Sequence, residues 1–312
     1  MNSKNKQASF TETIDFKSLA RSISLIENEA PGYQDLLLRL KPSSAKIIGI
    51  TGAPGAGKSS LADALIGQMI ADKKKVGVLC VDPSSPFNKG ALLGDRIRMS
   101  EWYNHPDVFI RSLASKGSLG GLHPKIIEIA DIMKSAGFDD VIIETVGVGQ
   151  SEVDIAALAD ITIVMLVPEG GDIIQTMKAG LMEVADIFVI NKFDRPGAQS
   201  FYNSLKQMLS PAFNKNADKI PILKTVASVK EGIKELYQKI EEWKFDDQSE
   251  QKINLLTEKI WALIQNEKMK EFDKGKLKAE IFKAVSKEDF NLYLFVKKYI
   301  DNRKKDNRTS FI

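Results

Sequence analysis

Cysteine is almost absent: Cys80 stands alone in 312 residues, so no intramolecular disulfide can form, and a reducing compartment, the cytoplasm, is expected. Histidine is as scarce. With only His105 and His123, a Cys/His metal cage is nearly excluded. An excess of charge is missing too: 44 Lys and Arg against 41 Asp and Glu leave +3, not the basic stripe of a nucleic-acid binder. No nucleic-acid partner is expected. Long apolar runs are absent, Ile161–Val167 being far short of the roughly 20 residues that span a bilayer. The polar start MNSKNKQASFTETIDF has no apolar signal-peptide core, and no membrane association is expected. Neither an internal repeat nor a low-complexity tract occurs.

What is present is an ordinary globular composition, 43% hydrophobic and 27% charged, in a chain long enough for one large domain or two. Three zones follow. Residues 1–44 place Leu19, Ile23 and Ile26 at helical spacing and continue into Tyr33–Leu40, a helical extension of two short helices. Residues 45–240 alternate short Val/Ile runs with amphipathic stretches. The predicted strands are Lys46–Ile50, Val76–Val81, Val108–Ser112, Asp140–Glu144, Ile161–Val167, Ile187–Asn191 and Ile222–Thr225. Continuous apolar strands alternating with helices imply an α/β fold around a mostly parallel sheet flanked by helices. Residues 241–312 read as helical, with Ile253, Leu256, Ile260 and Leu263 on one face and a second one-sided stretch at Leu277–Tyr299, before a charged tail, Arg303–Arg308, expected to fray. That apolar stripe either packs back on the central zone or pairs with another subunit.

The chemistry concentrates in the central zone. Gly52-Ala53-Pro54-Gly55-Ala56-Gly57-Lys58-Ser59 matches G-x-x-x-x-G-K-[ST], follows a predicted strand and opens a predicted helix, Ser59–Ala71, that begins Ser59-Ser60. Glycines allow the backbone N–H groups to converge on phosphate oxygens, and the helix N-terminus adds positive potential. Lys58 reaches the β- and γ-phosphates in such loops, and the Ser59 hydroxyl ligates Mg²⁺. A nucleoside triphosphate is therefore the expected substrate. Asn191-Lys192-Phe193-Asp194 ends a later strand. A carboxylate there accepts from the ring N–H and exocyclic amine of guanine, which adenine cannot offer, so GTP is favoured over ATP. Ala227, in Thr225-Val-Ala227 at the end of the last strand, offers a backbone N–H to the base.

Carboxylates at the carboxyl ends of parallel strands face the ligand crevice. Asp82 and Glu144 stand at such ends, Asp95 follows a loop after Asp82, and Glu144-Thr-Val-Gly147 has the form of a γ-phosphate-sensing loop. Asp82, Asp95 and Glu144 are candidates to hold Mg²⁺ or orient the attacking water, although Asp82 could instead be a helix cap. Lys89, Arg96 and Arg98 are candidates to neutralise phosphate charge or members of a solvated basic face. Arg111–Gly121 reads as a Gly/Ser-rich loop, the two histidines as surface residues, and Cys80 as core.

Ile48–Leu61, Val81–Met99, Arg111–Gly121, Glu144–Glu152 and Met177–Asp194 together resemble the MeaB/ArgK family of P-loop GTPases, Val81–Met99 being the most distinctive stretch. The resemblance implies a GTP-hydrolysing chaperone for an adenosylcobalamin-dependent acyl-CoA mutase of the methylmalonyl-CoA mutase type, gating cofactor loading. It implies catalytic roles for Lys58, Asp82, Asp95 and Glu144, a metal role for Ser59, base contacts for Asn191, Lys192 and Asp194, and a homodimer formed through the C-terminal helices. The family segment P-G-x-G-D-E-L-Q here reads Pro168-Glu169-Gly-Gly-Asp172-Ile173-Ile-Gln175. A nickel metallochaperone would need a Cys/His cluster that this chain lacks, and N-K-x-D opposes an ATPase or kinase of amino-acid transport.

Overall fold

The structure is a computed structural model; it describes residues 14–82, 99–115, 122–147, 155–168, 184–209, 220–243, 250–285 and 290–309, with backbone alone at 250, 251, 252, 255 and 302–309. The chain divides into two compact units, Met1–Leu255 and Leu256–Ile312.

The first unit is built on seven parallel strands, β1 (Lys46–Gly52), β2 (Val76–Asp82), β3 (Val108–Ala114), β4 (Asp140–Glu144), β5 (Ile161–Leu166), β6 (Ile187–Ile190) and β7 (Ile222–Lys224), in the order β3-β2-β4-β1-β5-β6-β7. The helices are α1 (Phe16–Glu27), α2 (Tyr33–Leu38), α3 (Lys58–Ala71), α4 (Ile126–Ser135), α5 (Ala198–Met208) and α6 (Ile233–Glu242). The strands are dominated by buried Val, Ile and Leu because both faces of the sheet are covered, with polar residues mainly at strand ends and on the edge strands β3 and β7. On one face Ile48 and Ile50 of β1 and Ile142 of β4 meet Leu61, Leu65 and Met69 of α3 and Ile233, Leu236 and Ile240 of α6. On the other, Ile47, Val141 and Ile143 meet Ile129 and Met133 of α4 and Leu19, Ile23 and Ile26 of α1. The N-terminal extension is thus part of the layer that covers the sheet. Asp15 caps it, accepting from the N–H groups of Lys17 (3.0 Å) and Ser18 (3.1 Å). At the far edge Val164, Leu166, Phe188 and Ile190 pack against Leu205 and Leu209.

The amino edge of the sheet is closed by carboxylates. Asp139 accepts from Lys75 N–H (2.7 Å), Asp160 from Ile47 N–H (2.7 Å) and Asp186 from Thr162 N–H (2.8 Å), satisfying donors at or beside the strand starts. Lys74 bridges Asp140 (2.7 Å) and Glu241 (2.6 Å), tying α6 to the same edge. Burial works to lower the Lys74 pKa, but its hydrogen bonds to Asp140 and Glu241 outweigh that and hold it above the ordinary lysine value.

α7 (Glu250–Met269) crosses the division between the units; Ile253, Leu256, Ile260 and Ile264 are exposed along it. The second unit holds α8 (Lys274–Val285) and α9 (Leu292–Thr309). Asp273 caps α8 through the N–H groups of Gly275 and Lys276, and Asn291 caps α9 through those of Tyr293 and Leu294. The stretch read as continuous from Leu277 to Tyr299 therefore contains a helix boundary, and α9 runs to Thr309, through the tail expected to fray. Phe272, Tyr299, Phe295 and Phe290 stack in sequence with ring centroids 6.1, 6.0 and 5.9 Å apart. Among the described residues no helix is long and apolar enough to cross a membrane.

Candidate functional site

Because the strands are parallel, their carboxyl ends share one edge, and most of the chemistry read from sequence lies there. β1 ends at Gly52, and the next five residues turn into α3, whose first residue is Lys58. Ala53, Pro54 and Gly55 are exposed, whereas Lys58 and Ser59 are buried and Ser60 is half-buried in the first turn of α3. Gly57 sits at φ +94°, and a Cβ there would collide with the Asn191 amide. A side chain is thus excluded twice, by backbone conformation and by space. Lys58 Nζ folds back over the loop and donates to the carbonyls of Gly52 (2.8 Å) and Ala53 (3.1 Å). A phosphate entering the loop would meet this ammonium and the N-terminus of a 14-residue helix together.

Ser59 Oγ donates to Glu144 Oε1 at 2.7 Å, so the hydroxyl and the last residue of β4 are in direct contact. Asp82 ends β2, is buried opposite Ala114 of β3, and its carbonyl accepts from Ser115 N–H (2.9 Å). Beyond Glu144, Thr145 Oγ1 donates to Thr51 Oγ1 (3.1 Å) and Thr145 N–H to Ile50 O (3.1 Å). These two contacts, which no motif signals, hold the start of the 144–147 segment against the end of β1. Gly147 lies so close, at φ +79°, that a Cβ would overlap Gly52 O and crowd Lys58 Nζ.

Asn191 follows β6 and is buried. Its Nδ2 donates to Ala56 O (2.8 Å), and its Oδ1 accepts from Thr225 Oγ1 (3.1 Å) and Ala227 N–H (3.0 Å). The amide joins the phosphate-type loop to the end of β7, with the Ala227 N–H among its partners. Lys192, at φ +55°, and exposed Asp194 continue the turn, which Phe193 N–H to Thr225 O (3.1 Å) and Arg195 N–H to Lys192 O (3.0 Å) hold.

Other expectations fall elsewhere. Asp95, Lys89, Arg96, Arg98, Lys116–Gly121, Glu169, Asp172 and Ile173 lie outside the described residues. Arg111 is part of β3 and donates to Ser24 of α1 (3.2 Å), away from the loop. His123 is not a surface residue: it is buried, and its Nδ1 accepts from Lys125 N–H (3.0 Å) to start α4. His105 is half-buried, its ring edge-on to Trp102 at 5.9 Å. Cys80 is buried inside β2, as expected.

Residues 19–276 match the family model described as methylmalonyl Co-A mutase-associated GTPase MeaB. The chain belongs to the MeaB family. GTPase ArgK of Escherichia coli is 37% identical over 239 residues, 73% of this chain and 72% of that protein. A Pyrococcus abyssi protein whose name carries the word GTPase is 47% identical over 233 residues, 73% of this chain and 72% of its own. The fused isobutyryl-CoA mutase of Geobacillus kaustophilus is 35% identical over 229 residues, 69% of this chain but 21% of that longer protein. Among solved structures, an LAO/AO transport system kinase shares the fold with a TM-score of 0.59 at 24% identity, covering 94% of each chain. By family the chain is a P-loop GTPase, and its parallel sheet carries the phosphate-type loop at the carboxyl edge.

Proposed function

We propose that this chain hydrolyses GTP to GDP and phosphate and serves as a chaperone for an adenosylcobalamin-dependent acyl-CoA mutase, gating its cofactor loading. The observation that carries the nucleotide part is the Asn191 amide, which bonds the phosphate-type loop at Ala56 and the β7 end at Thr225 and Ala227. One side chain sets the distance between a phosphate cradle and the turn bearing Asp194, whose carboxylate matches the two donors on the guanine edge. The mutase part is supported by the family's description and by a relative in which the matching region is fused to isobutyryl-CoA mutase.

Hydrolysis adds water to the γ-phosphorus and breaks its bond to the β–γ bridging oxygen, leaving GDP. Lys58 would exchange its two carbonyl partners for β- and γ-phosphate oxygens, and the loop N–H groups would hold the same oxygens in line. The donor set beside the loop, the Ser59 hydroxyl with the buried Asp82 and Glu144 carboxylates, is all hard oxygen and suits Mg²⁺. When bound, Mg²⁺ neutralises charge on the β- and γ-oxygens. Asp95 would join this set as the family resemblance implies, and Gly147 would border the phosphates as the close neighbour of Lys58. Incomplete stabilising groups make such sites slow until a partner completes them, which suits a timer. The exposed stripe Ile253, Leu256, Ile260 and Ile264 is the surface through which two copies would pair, and the compartment would be the cytoplasm.

The test is phosphate release from GTP by the purified chain, alone and with an adenosylcobalamin-dependent acyl-CoA mutase from the same organism. A slow rate that rises clearly with the mutase supports the proposal, and a rate indifferent to every such mutase removes the chaperone part. Light scattering of Ile260→Asp against the unaltered chain tests pairing, which requires a dimer that the aspartate dissociates.

A further inference from the structure

Asp194 sits on a turn held by one internal backbone hydrogen bond, Arg195 N–H to Lys192 O, and otherwise by its neighbours. Lys192 adopts φ +55°, a left-handed conformation unfavourable for a lysine, and Asp194 itself is exposed. The inner side of the turn is fixed by Asn191. On the outer side, the Phe193 ring lies 4.7 Å from Lys224 Nζ and edge-on to the Tyr202 ring at 6.5 Å. Lys224 Nζ also stands 4.2 Å from the centre of the Tyr202 ring and donates to Gln199 Oε1 at 3.2 Å. Gln199 in turn donates to Asn203 Oδ1 at 3.0 Å. One ammonium thereby gathers the turn (Phe193), α5 (Gln199, Tyr202) and β7, on which Lys224 immediately precedes Thr225. The β7 backbone is also closely packed at this point: a Cβ on Gly232 would collide with the Lys224 carbonyl.

We propose that Lys224 is a positioning residue for base recognition: through cation–π contact with Phe193 and Tyr202 it holds the turn that presents Asp194, and so sharpens discrimination of guanine from bases that lack its 2-amino group. The inference rests on the guanine reading above and deepens it. The inner brace through Asn191 sets where the turn starts, and the outer brace sets where the carboxylate points. A carboxylate free to swing still accepts one hydrogen bond from the ring N–H. Only a fixed one accepts from ring N–H and 2-amino group at once, and hypoxanthine, with the ring N–H alone, reports the difference.

The experiment is competition of GDP and inosine diphosphate against a fluorescent guanine nucleotide on the full chain, in Lys224→Met, Lys224→Arg and Phe193→Leu. Methionine keeps the unbranched stem and loses the charge, while arginine retains the cation over the rings. The unaltered chain is expected to prefer GDP. Lys224→Met and Phe193→Leu should weaken GDP about five-fold while moving inosine diphosphate less than about two-fold, and Lys224→Arg should stay within about two-fold for both. An unchanged GDP-to-inosine ratio in Lys224→Met, whether neither affinity moves or both fall together, overturns the positioning role. An unaltered chain with no preference for GDP over inosine diphosphate overturns the guanine reading itself, and the inference with it.

Discussion

Replacing Asn191 with alanine removes three hydrogen bonds at one stroke and leaves their partners behind in the protein: the Ala56 carbonyl, the Thr225 hydroxyl and the Ala227 N–H. Each buried group left unpaired costs about 1–3 kcal/mol. Water entering the space of the lost amide recovers part of this, so the net loss of stability should be about 3 kcal/mol. Thr225→Val removes the hydroxyl and roughly keeps the volume, and should cost about 1 kcal/mol. The two substitutions share a bond, so their effects should not add; a double-mutant cycle should return a coupling of about 1 kcal/mol. The assay is urea unfolding of the nucleotide-free chain, comparing midpoints. In parallel, GDP affinity of Asn191→Ala should fall about ten-fold or more, since the loop and the turn lose their common spacer. Asn191→Asp separates the two halves, because it keeps an acceptor for Thr225 and Ala227 but sets a carboxylate oxygen against the Ala56 carbonyl. It should lose nucleotide affinity with little change at Thr225. A midpoint within about 1 kcal/mol of the unaltered chain, with GDP binding intact, would refute the brace.

Other expectations follow from the same geometry. Asp194→Asn replaces an acceptor by a donor on the side of the 2-amino group, and should shift preference from guanosine to xanthosine nucleotide by about ten-fold or more; unchanged selectivity removes Asp194 from the base site. Gly147→Ala would place a methyl against Gly52 O and Lys58 Nζ and should lower kcat/KM for GTP on the order of a hundred-fold, whereas a normal rate would mean the 144–147 segment stands clear of the loop. Ser59→Ala should shrink the gain in GDP affinity given by Mg²⁺ over EDTA, and an undiminished gain would exclude the hydroxyl as a ligand. Burial raises the Asp186 pKa from 3.8 to about 6, against a lowering by the Thr162 N–H. The folded chain therefore binds this proton more tightly than the unfolded one; the stabilisation is full below about pH 4 and is lost as pH rises through about 6, by up to about 3 kcal/mol. Asp186→Asn keeps an acceptor and should flatten that segment of the pH profile in thermal melts; an unaltered slope would contradict the shift.

The strands were readable because a parallel sheet covered on both faces needs unbroken Val and Ile, and runs such as Val76–Val81 and Ile161–Val167 have little else to become. Their ends were less so. β1 continues through Thr51 to Gly52, and β3 through Leu113 to Ala114, because neighbouring strands supply partners that no local pattern announces. In the second unit the apolar periodicity of Leu277–Tyr299 hid a helix boundary that Asn291 marks by capping α9. The site shows the same division. Lys58 and Ser59 are legible as candidates because phosphate chemistry fixes residue types at fixed spacing, and Asp82 and Glu144 because they end apolar strands. The inward-turned Asn191 amide and the Lys224–Phe193–Tyr202 contact are not, since they depend on side chains brought together from β6, β7 and α5.

The central claim is a P-loop site that reads guanine. Its most direct test is phosphate release from GTP and from ATP by the purified chain with Mg²⁺, with Lys58→Ala as the blank. The account predicts release from GTP that ATP does not match and that Lys58→Ala abolishes. Equal hydrolysis of ATP, or release that survives Lys58→Ala, would contradict it.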